Sequence, residues 1–156
     1  MIMKNSKNKL LLDQTQEGLL MFTPLKSVIH PKEGWVKTIR QSIKMSFRQL
    51  GDRLQMTPQG VMNLEKREKE GSITINLLKE VGRALEMDLV YGFISKHDSL
   101  EEMIEVRAKE IAIEIVSRTH QNMKLGNQGN TDKQIKKLIE RKTYEISSEM
   151  PSYLWG

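Results

Sequence analysis

Between Gln59 and Lys66 lie four side chains suited to reading a base pair. Gln59, Met62, Asn63 and Lys66 recur at steps that, at about 100° per residue, set them on one stripe of a helix, with Val61 and Leu64 on the other side. A carboxamide holds a donor beside an acceptor, the pattern that matches the major-groove edge of adenine, and a thioether can lie against a thymine methyl. Gln59, Met62 and Asn63 are therefore the expected base-reading residues, and Ser46, Arg48, Thr57 and Lys66 the expected phosphate contacts. Nothing comparable supports catalysis. His30, His97 and His120 are scattered, with neither metal-ligand spacing nor a Ser/His/Asp arrangement. Without cysteine there is no disulfide, thiolate ligand or thiol nucleophile. The expectation is a protein that is not an enzyme and uses no cofactor or metal.

The reading stripe needs two short helices joined by a corner. Ser46 followed by Gln49 has the form of a capping box, and Phe47, Leu50 and Leu54 recur at helical spacing after it, with Gly51 on the packing side for close approach by another helix. Thr57 is a good N-cap and Pro58 suits the first helical position, so only Gln55 and Met56 turn the corner. An earlier helix begins at Trp35, the expected lid of the core, and buries Val36, Ile39 and Ile43. A later one is capped by Thr74, with Ile73 and Leu78 placed as a hydrophobic staple and Leu77, Val81 and Leu85 on its inner face.

The unit of Leu50, a small residue, Leu54, a turn, Thr57, Val61, Leu64 and Glu65 resembles the helix-turn-helix of the Cro/repressor superfamily, over Trp35 to Tyr91. The resemblance implies an ion pair between Arg40 and Glu65. Phe47 stands where the family usually has a phosphate-contacting Gln, which leaves that phosphate to Arg48 or Ser46. The Gly that usually follows the Glu closely arrives only at Gly71, implying a recognition helix extended through Lys66 to Glu70. A narrower set of segments, GWVKTIRQSIKMSFRQLGDRL, TPQGVMNLEKREKEGSITINLLKEVGRAL, DLVYGFIS, SLEEM and the closing LW, resembles the mobile mystery protein A family. That resemblance implies a DNA-binding antitoxin encoded beside a Fic-domain protein, mobile mystery protein B.

Charge is distributed accordingly. The net charge is +5, and from Trp35 to Gly71 eight basic residues (Lys37, Arg40, Lys44, Arg48, Arg53, Lys66, Arg67, Lys69) face four acidic ones (Asp52, Glu65, Glu68, Glu70). From Ser72 to Leu125 the balance is slightly acidic, so the basic stretch is local, as expected of a DNA binder.

Three regions are expected: an N-terminal helical extension and connector over 1–34, a DNA-binding domain over 35–98 that ends in a strand, and a helical dimerisation or partner region over 99–156. In the first, a helix from about Lys9 to Met21 leads into an extended connector at Pro24 and Pro31. It either covers the back of the domain or serves as a dimer or DNA arm. Leu89, Val90, Tyr91, Phe93 and Ile94 read as a strand. Its partner is either the same strand of a second subunit or the segment near Ser27 to His30. Ser99 with Glu102 caps a helix that is apolar on two sides, through Leu100, Ile104, Ala108, Ile111 and Ile115 on one and Val106 and Ile113 on the other. Gly126 to Asn130 reads as a linker, and Thr131 caps a last helix carrying Ile135, Leu138, Ile139 and Ile146. Tyr153, Leu154 and Trp155 form a tail that either plugs the core or docks a partner.

The fold class expected is mainly α, a Cro/repressor-like helix-turn-helix domain with a short β-strand and C-terminal helices. No signal peptide or membrane span is legible, so the expected location is the cytoplasm. The expected partner is double-stranded DNA with a pseudo-palindromic operator, bound by a homodimer, with a Fic-domain protein as further partner and no membrane association. Two functions remain open: autorepression of a toxin-antitoxin-like operon, and direct neutralisation of the partner. The Fic-inhibitory pattern of Ser or Thr, three residues, Glu, then Gly or Asn is absent, because Glu17, Glu33 and Glu70 precede Gly but follow Asp13, Ile29 and Lys66.

Overall fold

The computed structural model describes residues 2–124 and 132–156, and the chain over them is mainly helical. In order come α1 (Ile2–Leu20), a 3-10 turn (Thr23–Ser27), α2 (Trp35–Ser42), α3 (Phe47–Leu54), α4 (Pro58–Glu70), α5 (Ile75–Ala84), α6 (Leu100–Lys124), α7 (Asp132–Glu149) and a closing 3-10 turn (Ser152–Trp155). None of the described helices is long and apolar enough to cross a membrane. The linker at Gly126 to Asn130 and the cap at Thr131 fall outside the described residues.

Two compact units share the chain, Pro24–Gly92 and Met1–Thr23 together with Phe93–Gly156. This differs from the three consecutive regions expected, and α1 supplies the reason. Leu12 packs against the core of α6 and α7, and the Gln16 side-chain oxygen accepts a 2.7 Å bond from the Leu100 amide at the start of α6. The N-terminal segment thus helps to satisfy the open end of a helix far along the chain. Gly18 does not interrupt α1, and the space beside it is empty.

In the α1/α6/α7 unit, Ile104, Ala108, Ile111, Ala112, Ile146 and Leu154 form the buried cluster. The start of α6 is closed by Ser99 Oγ, which accepts from the Glu102 amide, while the Glu102 carboxylate accepts from Asp98 rather than from Ser99. Val106 and Ile113, on the second apolar side of α6, stay 42% exposed. Of the tail only Leu154 is a plug. Its carbonyl accepts from Arg107, and Tyr153 and Trp155 remain largely outside.

In the Pro24–Gly92 unit, Val36, Leu50, Val61, Leu64, Val81 and Leu85 form the core, with Ile39, Phe47, Leu54, Ile73, Leu77 and Leu78 packed around it. One residue from nearly every turn of four short helices reaches it, which is how a small domain buries enough apolar surface. Trp35 is not its lid: it is 42% exposed and its indole nitrogen donates to His30 Nδ1 at 3.3 Å. The connector between Pro24 and Pro31 is not extended throughout, since Thr23–Ser27 forms a 3-10 turn in which the Ser27 hydroxyl donates to the Pro24 carbonyl.

The strand expected at Leu89–Ile94 forms no ladder with any described residue, including Ser27 to His30. Its residues lie outside any helix, with Val90, Tyr91 and Phe93 at 71%, 60% and 81% exposure. A strand needs a neighbour for its amides and carbonyls, and among the described residues none is in place.

Candidate nucleic-acid interface

The corner between α3 and α4 is built from the termini the sequence marks. Ser46 Oγ accepts from the Gln49 amide at 3.1 Å while the Gln49 side chain accepts from the Ser46 amide at 2.8 Å, a complete capping box. At the far end Gln55 takes the left-handed conformation, φ 56°, and the Met56 amide donates back to the Gly51 carbonyl at 2.9 Å. A Cβ at Gly51 would lie 2.5 Å from the Met56 carbonyl oxygen. Gly51 makes room where the chain enters the neighbouring helix, the space a side chain would fill being taken by Met56 and by Thr57, the N-cap of α4. Thr57 Oγ1 then accepts from the Gly60 amide at 3.0 Å, with Pro58 at the first helical position of α4.

α4 presents the two faces expected. Val61 and Leu64 are fully buried and Glu65 nearly so, whereas Gln59, Met62, Asn63 and Lys66 are exposed. Gln59 and Asn63 are also joined: the Gln59 amide nitrogen donates to Asn63 Oδ1 at 3.3 Å. The Gln59 oxygen, its second N–H and the Asn63 amide hydrogens are not used in that bond, and both side chains are exposed.

Beneath this face, Arg40 of α2 grips Glu65. Arg40 Nε donates to Glu65 Oε1 and Nη2 to Oε2, the latter at 3.3 Å, with both side chains at 7% exposure or less. Nη1 donates to the Met45 carbonyl at 2.9 Å, and the guanidinium carbon sits 4.0 Å above the Phe47 ring. Phe47 is thus committed to the cation. Removing one partner would leave a buried charge alone, at a cost of about 3–5 kcal/mol.

The sequence reading missed a second fastening. Gly34 stands at the N-cap of α2, where it has no side chain to offer, and its φ is 89°. The cap comes instead from Glu68 on α4, whose carboxylate accepts from the Trp35 amide at 2.9 Å and the Val36 amide at 2.8 Å. A Cβ on Gly34 would lie 2.6 Å from that carboxylate. Beside it, Glu33 accepts from Lys37 and Lys69, each at 2.9 Å, and the two ammonium groups draw its pKa down from the ordinary 4.5 to about 2. The available signal was a helix start at Trp35 with no Ser, Thr, Asp or Asn before it.

The eight basic residues accordingly divide. Lys37 and Lys69 are paired with Glu33, Arg40 with Glu65, and Arg53 donates to the Ala84 carbonyl at the end of α5. Arg48, Lys44 and Arg67 have no such partner among the described residues, and Lys66 lies 3.9 Å from Glu70 with 71% of its side chain exposed. Arg48 and Thr57 line one surface depression with Met56 and Pro58, while Met62 and Lys66 line another with Lys37 and Lys69. Of the expected phosphate residues, Lys66 lies on the stripe itself, Thr57 caps the start of α4, and Ser46 and Arg48 are exposed at the start of α3. Among the described residues no group of three His, Asp or Glu side chains is arranged to hold a metal. No protein-family model, curated protein or solved structure matches the chain.

Proposed function

We propose that this protein is a sequence-specific DNA-binding transcription regulator of the Cro/repressor helix-turn-helix kind, in which α3 and α4 are the two helices and α4 enters the major groove. The observation that carries the proposal is the Gln59–Asn63 amide pair, exposed beside Met62 on a helix held from behind by the Arg40–Glu65 ion pair. Solvated polar residues need no such fixed backing, whereas base reading does, because bidentate pairing depends on the helix keeping its angle in the groove. Arg48, Lys66, Ser46 and Thr57 supply phosphate contacts. The protein acts as a homodimer on a pseudo-palindromic operator, with Leu89–Ile94 of each subunit paired as strands, and it autorepresses an operon shared with a Fic-domain partner. Footprinting the purified protein on DNA upstream of its own gene tests the reading. Protection of a two-fold related site is expected, and uniform or absent protection would refute it.

Direct neutralisation of the partner is the second reading, favoured by the tail: buried Leu154 anchors it while Tyr153 and Trp155 offer aromatic surface at 48% and 58% exposure. Co-expression separates the two. A folded variant lacking Gln59 and Asn63 side chains should fail to protect cells from a partner driven by an unrelated promoter; if it protects them, protein blocking is the main function.

A further inference from the structure

Lys37, Lys66 and Lys69 converge on one cleft of about 220 Å³, whose other walls are Glu33, Phe47, Met62 and Glu65. Glu65 is taken up by Arg40, so the anion available to these lysines is Glu33, which holds two of them at 2.9 Å. Met62 and Lys66 belong to the exposed stripe of α4, which places the cleft at the edge of the face proposed to meet DNA. The pairs are not deeply buried: side-chain exposures are 33% for Lys37, 50% for Lys69 and 45% for Glu33. Exposed pairs of this kind exchange partners at little cost.

We infer that Glu33 is an internal stand-in for a DNA phosphate, occupying Lys37 and Lys69 in the free protein and yielding both to the nucleic-acid backbone when α4 docks. This rests on the DNA-binding reading above and adds two phosphate-binding residues and a device that restrains them. A phosphate lodged by three ammonium groups gains more than a carboxylate does, because it also releases the counterions condensed on the duplex. The free protein meanwhile keeps two of its cations neutralised, which limits its hold on DNA of any sequence. The exchange is blind to sequence, so it acts equally on operator and unrelated duplexes.

The test is fluorescence-anisotropy titration of labelled duplexes, one covering the upstream region and one unrelated, over a range of salt concentrations. Wild type, Glu33→Gln, Lys37→Ala/Lys69→Ala and the triple variant are compared, each checked for folding by its thermal melt. Glu33→Gln should bind both duplexes several-fold more tightly, and the double lysine variant more weakly, with its salt slope reduced by about 1 per lysine. The Glu33→Gln gain should largely vanish in the triple variant, because no lysine is left to release. A gain of equal size with and without the lysines would mean that Glu33 acts only through its charge, and would overturn the inference, as would no gain at all. Failure of wild type to bind either duplex would instead remove the DNA-binding reading, so the two failures are distinguishable.

Discussion

Four charged residues of α4 are placed differently. Glu65 faces inward to Arg40, Glu68 reaches the open amides of α2, Lys69 turns to Glu33, and Lys66 stays in solvent. In a sequence these read as one charged run; in space they divide between the two sides of a helix. Glu33 gives the division a pH signature. Its folded pKa, about 2, lies below its ordinary 4.5, so the stability it contributes is fully present above pH 4.5 and is lost as pH falls through 4.5 towards 2. Urea denaturation of wild type and Glu33→Gln at a series of pH values should therefore show a wild-type advantage near neutrality that shrinks across that window. An advantage that does not change with pH would show that the carboxylate's charge is not what the lysines hold.

At the scale of elements, the helix starts and stops were the most legible part. Ser46, Thr57, Thr74 and Ser99 all accept the amide bond their position implied, since capping depends only on residues three apart. The buried stripe of α4 was legible from helical spacing, and the extension of that helix to Glu70 from the late Gly71 that the resemblance pointed to. Among contacts between distant segments, the Arg40–Glu65 pair was expected from the resemblance, whereas Gln16 with Leu100, Glu68 with Trp35 and Arg53 with Ala84 join residues that no periodicity relates. Glycines mark where local geometry decides an element's end. Gly51→Ala should destabilise by about 1–3 kcal/mol, because its Cβ would press a backbone carbonyl at 2.5 Å. Gly18→Ala, which meets open space within α1, should stabilise by about 0.5–1 kcal/mol. Chemical denaturation of the two variants checks both signs, and a stable Gly51→Ala would mean the α3–α4 corner can relax.

For the whole molecule, the question is what the isolated chain leaves unpaired. Leu89–Ile94 carries Val90, Tyr91 and Phe93 into solvent, and the proposed pairing with a second copy would cover them. A single α4 offers few base contacts, and two related by a two-fold axis would span half-sites about 34 Å apart. Light scattering at micromolar concentration without DNA should report a dimer, and Phe93→Lys should shift it towards monomer; a wild-type monomer would contradict the proposed assembly. The central claim, that α4 reads bases, is tested most directly by titrating wild type, Gln59→Ala and Arg48→Ala against the footprinted site and an unrelated duplex at fixed salt. Gln59→Ala should lose about 1–3 kcal/mol on the specific site alone, and Arg48→Ala should weaken both duplexes alike. Unchanged operator affinity in Gln59→Ala would contradict the account.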